Sequence, residues 1–374
     1  GLWYFRGGWD HEDPMLHLVH PTMPNCMGGA GLYPVTNTYG QGAFNTTSYR
    51  FHDYASPLMT GLGVLVDGLP PCPEEGRAPS GSKQEVFTQA AEKPQFSRWY
   101  SDSELDFGEA IYRGNYRKVG AEFDHKLRKR VAYSSEEHVD GVTTTRQIFQ
   151  VRPARLFLQV DRLRYASPEE LHTQMLKNTM ILIDPDEETE ATIDQLKVDP
   201  EERRIVTENP GNAGVMVSLF GQPELDIEVN EREIGHQSFR RSPTITLGGY
   251  RKTKGREVKI SWEAQGETIL VSLLRGLRPD ESPIAKTEDL SNDQVAAVRA
   301  TMSDGVNVTL LVSRHESSEL EAGPIRINGE ALLLVEQPGH GISGLVLGAE
   351  TMWLDEETQK LNSPDFQFDL GNGL

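Results

Sequence analysis

The sequence predicts an all-β chain, a large antiparallel β-sandwich of the supersandwich-like kind with a smaller C-terminal β module. Three observations carry that prediction. Apolar segments are short, turn dipeptides recur between them, and helical periodicity is scarce. The 374 residues include 35 Gly and 22 Pro, which suits a chain with many turns. No fixed-period repeat points to a propeller or a solenoid.

Along the chain, residues 62–66 form an apolar run that ends on Asp67-Gly68. Further strands are expected at 156–160, 214–219, 269–274, 306–312, 332–335 and 344–347. Val306, Val308, Leu310 and Val312 alternate, so they share one face. Turns are expected at Asp140-Gly141, Gly248-Gly249, Asp304-Gly305 and Asn328-Gly329. The last lies between 325–327 and 331–335 and reads as a hairpin. A helix is expected within 287–301, where Ser291 and Gln294 offer a capping-box start. A short helical turn is expected within 167–176, after Pro168. The acidic stretch 184–209 reads as an exposed excursion, not a core strand. Pro279 and Pro283 lie in a charged linker, dividing a sandwich domain at 1–280 from a small module at 281–374.

Composition excludes several function classes. The formal net charge is -19, so the chain lacks the basic field that a nucleic-acid partner requires. An acidic polysaccharide is repelled at long range and needs a local basic groove. Residues 125–130 and 240–256 hold basic clusters that either line such a groove or mark solvated strand faces. No membrane span is predicted, because no run approaches the length of apolar chain a bilayer requires. Cys26 and Cys72 allow one disulfide or two free thiols. The chain opens Gly1-Leu2-Trp3 with no initiator Met and no apolar leader, and reads as a fragment or processed piece.

The densest chemistry lies just before the 62–66 run: Ser48, Tyr49, Arg50, His52, Asp53 and Tyr54 fall within seven residues. A strand end is a good place for a site, because the sheet fixes side chains while the loop meets solvent. His52 beside Asp53 is either a base or sugar contact, or a polar pair at a strand entrance. Tyr39, Asn45, Tyr49 and Arg50 form either a sugar-binding loop or an ordered loop over the sandwich edge. In the first reading Tyr rings stack on pyranose faces and Arg pairs with a uronate carboxylate. Trp99 and Tyr100 are either an exposed aromatic shelf or a cover for one end of the sandwich.

Several phrases in the first 163 residues carry a resemblance: Trp3-Tyr4-Phe5-Arg6-Gly7-Gly8-Trp9-Asp10, Met15-Leu16-His17-Leu18-Val19, Leu65-Val66-Asp67-Gly68, Arg77-Ala78-Pro79-Ser80-Gly81-Ser82 and Val160-Asp161-Arg162-Leu163. In that order they resemble the β-sandwich region of the heparinase II/III-like polysaccharide lyase family. The resemblance implies β-elimination on a uronate-containing polysaccharide. There a base removes the proton beside the uronate carboxylate, a polar or charged group neutralises that carboxylate, and an acid protonates the leaving oxygen. His52, Tyr49 and Arg50 are the candidates for base, acid and neutraliser, in an assignment left open. Tyr39, Asn45, Asp53 and Trp99 are the candidate substrate contacts. The resemblance makes Asp67 a metal ligand. It also implies a His/Asp/His zinc site, but Ser48, Arg50 and Ser82 occupy the expected histidine positions, so no cofactor is expected. It further implies a partner helical toroid outside this sequence, an acidic polysaccharide or oligosaccharide as ligand, and a periplasmic or extracellular location. The alternative is a non-catalytic carbohydrate-binding or structural β-sandwich fragment.

Overall fold

The computed structural model describes residues 2–6, 14–19, 33–38, 43–46, 64–69, 71–72, 95–124, 129–182, 196–207, 214–222, 224–237, 250–277, 286–354, 357–361 and 363–371. Among them there are strands and no helix. The N-terminal strands are β1 (Leu2–Arg6), β2 (Pro14–Val19), β3 (Tyr33–Thr38), β4 (Ala43–Thr46), β5 (Val64–Val66) and β6 (Pro71–Cys72). Next come β7 (Gln95–Ser101), β8 (Leu105–Asp124), β9 (Lys129–Val151), β10 (Leu156–Arg164) and β11 (Leu171–Leu182). They are followed by β12 (Leu196–Asp199), β13 (Arg204–Thr207), β14 (Gly214–Phe220), β15 (Asp226–Gln237), β16 (Tyr250–Gln265) and β17 (Glu267–Leu277). The C-terminal strands are β18 (Lys286–Asp289), β19 (Val295–Thr301), β20 (Asn307–Ser313), β21 (Ser318–Ala322) and β22 (Ile325–Gly329). The last are β23 (Ala331–Gln337), β24 (Gly341–Leu347), β25 (Thr351–Leu354), β26 (Glu357–Lys360) and β27 (Phe366–Asp369).

The strands pair antiparallel into four sheets. The first runs β1-β2-β3-β4-β11-β16-β15, with β5 also on β11. The second runs β12-β13-β14-β17-β10-β9-β8-β6, with β7 also on β8. The third runs β18-β19-β20-β23-β24-β27, and the fourth β21-β22-β25-β26.

Three apolar layers hold these four sheets in a stack. Val64, Leu176, Ile260 and Trp262 of the first sheet meet Ile148, Phe157, Leu219 and Leu270 of the second. The opposite face of the second sheet, with Phe149, Leu158, Val271 and Leu273, packs on Val298, Leu310, Leu333 and Leu345 of the third. The third then packs Ala297, Leu332, Leu334 and Val346 against Leu320, Ile325, Ile327 and Met352 of the fourth. Sheets two and three are therefore buried on both faces. Their strands read as continuous apolar runs, as the buried stretch of β10 and all but the first residue of β17 do. The expected all-β sandwich with a smaller C-terminal β unit is what the chain forms. The expected boundary at 280/281 lies outside the described residues, while the second apolar layer joins the material on either side of it.

Several local expectations are corrected. The helix expected within 287–301 is replaced by β18 and β19. Val298 and Ala300 face one apolar layer while Val295 and Ala297 face the other, so burial on both sides hides the alternation. Ser291 does not cap a helix; its Oγ accepts from Ala297 N at 2.9 Å. The helical turn expected at 167–176 is a bend closed by Glu170 N on Ser167 O, after which β11 begins. Within the supposed excursion 184–209, β12 and β13 pair and join β14, and Ile205 is fully buried.

Asp140-Gly141 is a bulge inside β9, not a chain reversal. Val142 faces Gly114 and Val139 faces Tyr116, so two residues oppose Asn115. Gly141 has φ 66°, and a Cβ there would lie 2.6 Å from Ala166 Cβ. Asn328-Gly329 makes no hairpin either. β22 pairs with β21 and β25, whereas β23 pairs with β20 and β24. The chain passes from the fourth sheet to the third at Glu330, whose N donates to Leu347 O and whose O accepts from Ser313 N. Asp304-Gly305 does close a hairpin, with Met302 N on Val306 O at 2.8 Å. Gly248-Gly249 lies outside the described residues.

Candidate functional site

β5 leaves the core through a two-residue turn. Val66 and Leu69 exchange backbone hydrogen bonds of 3.0 and 2.8 Å around Asp67-Gly68. Both central residues have positive φ, 51° and 72°, the conformation that Asp-Gly tolerates and branched residues resist. The turn docks on the start of β11. Asp67 N donates to Thr173 O at 2.8 Å, and Thr173 N donates back to Asp67 Oδ1 at 2.8 Å.

The other carboxylate oxygen meets a histidine. His172 Nδ1 lies 2.8 Å from Asp67 Oδ2, and its side chain is only 7% exposed. Its Nε2 faces Glu170 Oε2 at 3.7 Å. The imidazole lies against Tyr165, with ring centroids 4.3 Å apart. Tyr165 Oη accepts from Gln174 Nε2 at 2.7 Å, and Gln174 also bonds Thr268. Burial pushes the Tyr165 hydroxyl well above its ordinary pKa, the Gln174 hydrogen bond opposes that shift, and the Asp67 charge adds to it. The result is an imidazole held in one orientation by a carboxylate, beside a phenol kept protonated.

Strand register gives the two points between which the polar stretch of the sequence runs. On one edge of β11, Thr46 at the end of β4 faces Thr179, and Val64 at the start of β5 faces Leu176. Residues 47–63 join two points three positions apart on a single strand. Tyr49, Arg50, His52 and Asp53 fall within them and lie outside the described residues, as does Tyr39. Asn45 is on β4, with its backbone between Thr36 and Met180. Trp99 is on β7 of the other large sheet and is 72% exposed.

Asp67 and His172 are thus brought together, although 105 residues separate them in the chain. Sequence reading found the first and missed the second. The available signal was a histidine alternating with Gln174 and Leu176 on an inward strand face. Zinc needs three or four converging donors, and among the described residues no three His, Cys, Asp or Glu are so grouped. Both Asp67 oxygens already accept hydrogen bonds, and His172 Nδ1 is turned to that carboxylate. The described donors therefore do not fit a zinc ion.

No protein-family model matches the chain, and no curated protein matches it in sequence. Solved structures do match. One is the heparan sulfate lyase HepC from Pedobacter heparinus, 12% identical with a TM-score of 0.51, over 84% of this chain and 41% of that one. Another is a heparinase III, the BT4657 gene product, 8% identical with a TM-score of 0.50 over the same shares. Identity this low shows a shared fold and no more. The fold side of the resemblance to heparinase-type lyases is borne out. The chain spans 41% of the length of each of these two lyases.

Proposed function

We propose that this chain is the β-sandwich module of a polysaccharide-lyase-like protein acting on an acidic, uronate-containing glycan. The observation that carries the reading is the shared fold with the heparan sulfate lyase and the heparinase III over 84% of the chain. Register supports the location, since the stretch bearing Tyr49, Arg50, His52 and Asp53 departs from and returns to one edge of β11, where β5 leads on to the Asp67 turn. In this reading Arg50 pairs with the uronate carboxylate and acidifies the neighbouring C–H. His52 and Tyr49 divide the base and acid roles. One takes that proton and the other protonates the glycosidic oxygen that departs from C4, so the chain is cut there and a C4–C5 double bond is left in the uronate. Tyr39, Asn45 and Asp53 hold the flanking sugar. A helical domain outside this sequence and a periplasmic or extracellular location belong to the same proposal. No helix among the described residues is long and apolar enough to cross a membrane.

A second reading is a module that binds glycan, or supports a partner domain, without catalysis. The engagement of Asp67 by His172 and Thr173 favours it, because the carboxylate at the strand end then serves the fold. Incubating the full-length protein with a panel of uronate polysaccharides separates the two. The unsaturated uronate absorbs in the ultraviolet, so a steady rise supports elimination. A flat trace with every polymer, alongside measurable binding, leaves the non-catalytic reading.

A further inference from the structure

Trp99 lies on β7, which among the described residues pairs only with β8 at the border of the second sheet. It is 72% exposed, more than any other large apolar side chain among the described residues. A bulge puts it there. Phe96 faces Ala110 and Arg98 faces Glu109, so Ser97 is the extra residue. Ser97 Oγ and Arg98 Nε both reach Glu109 Oε1, at 2.5 and 3.0 Å. Arg98 then continues to Glu330 at 2.9 Å and to Asp365 at 3.2 Å, both in the C-terminal part of the chain.

The backbone under Trp99 is therefore pinned from the face carrying Arg98, and the indole projects from the other. Its cross-strand partner is Gly108, which has no side chain to cover it. Two positions further along, Ser101 Oγ donates to Asp106 Oδ1 at 2.5 Å, and Arg152 Nη2 donates to Asp106 Oδ2 at 2.5 Å. Gln150, the cross-strand partner of Asp106 on β9, has a buried Oε1 without a hydrogen-bond partner. This is an exposed aromatic platform beside a buried glycine, flanked by the exposed Ser101 and by Arg152, whose side chain is 28% exposed, both held by the buried Asp106 carboxylate.

We propose that Trp99 is the platform of a second glycan subsite, on a different sheet from the Asp67 turn, where the indole stacks on the C–H face of a pyranose ring. The C–H groups of a pyranose carry slight positive charge and meet the negative face of an aromatic ring. The ring hydroxyls then reach the Ser101 hydroxyl and the Arg152 guanidinium. The occupant is a sugar because, among the described residues, a hydroxyl and a guanidinium flank the indole, and because the module shares its fold with two polysaccharide lyases. The subsite rests on the glycan reading given above.

The test titrates the intact chain and its W99A and W99F variants with heparan sulfate, alginate and neutral cello-oligosaccharides by calorimetry. Sedimentation and urea unfolding run in parallel. W99A should weaken binding about tenfold, a change of the size that loss of one good contact produces. W99F should keep most of the affinity, and the urea midpoint should not move, since Trp99 packs on little. Equal affinity of the parent and W99A overturns the subsite alone. A change of sedimentation in W99A, with glycan affinity kept, assigns the indole to contact with a second copy and also overturns it. No binding by the parent to any polymer overturns the subsite together with the glycan reading.

Discussion

Replacing Asp161 by Ala tests the buried side of this architecture. Asp161 on β10 faces Arg146 on β9, and the pair lies between Leu270 and Ala110 on the interior face of the second sheet. The side chains are 0% and 1% exposed, with Arg146 Nε 2.5 Å from Asp161 Oδ1. Gln159 Nε2 donates to the second carboxylate oxygen at 2.6 Å. Taking one member from a buried ion pair typically costs about 3–5 kcal/mol, because the other charge must stay in a poorly solvated layer. Arg146 keeps other contacts, so the lower end, about 3 kcal/mol, is expected for Asp161→Ala. Urea unfolding followed by intrinsic fluorescence gives the change from the midpoint and slope. The double variant R146M/D161L should recover most of the loss, since apolar groups of similar size suit that layer. A loss below about 1 kcal/mol, the size measured for exposed pairs, would refute the reasoning and mean that water reaches the pair.

Further outcomes follow from the same physics. Gly344→Ala would put a Cβ 2.2 Å from Leu333 O and 2.5 Å from Phe368 Cζ, so a loss of about 1–3 kcal/mol is expected; an unchanged urea midpoint contradicts it. Glu109 is held below its ordinary pKa: burial alone would raise it, and the hydrogen bonds and charge of Arg98, with help from Ser97 and Gln147, outweigh burial. A depressed carboxyl stabilises the fold above its unfolded pKa, and that contribution is lost as pH falls through the folded value. Melting temperature should therefore drop with acidification below the ordinary glutamate range, and Glu109→Gln should flatten that limb; parallel limbs in the two proteins would contradict the assignment.

Much of the fold was legible because burial in a β stack demands apolar runs of strand length. Residues 156–160, 269–274 and 306–312 were read correctly on that ground, and the face shared by Val306, Val308, Leu310 and Val312 is the one packed on the second sheet. The same physics misled at β19, where burial on both faces erased the period that separates strand from helix. At Asn328-Gly329 a strong local turn signal was overridden by layer assignment. Ile325 and Ile327 belong to the outer apolar layer, and Gly329 serves close approach, since a Cβ there would sit 2.9 Å from Ala349 Cβ and 3.0 Å from Leu347 O. The site was half legible. Asp67 stands out where a strand ends on Asp-Gly, but His172, Tyr165 and Gln174 reach it only through pairing of β5 with β11, and no local pattern encodes that pairing.

The central claim is that this sandwich handles acidic glycan through the stretch joining β4 to β5. Calorimetric titration of the intact chain with size-fractionated uronate oligosaccharides tests it most directly. The account predicts saturable binding that Arg50→Ala weakens about tenfold or more. Absence of binding by the parent chain, or binding that Arg50→Ala, His52→Ala and Tyr49→Phe all leave untouched, would contradict it.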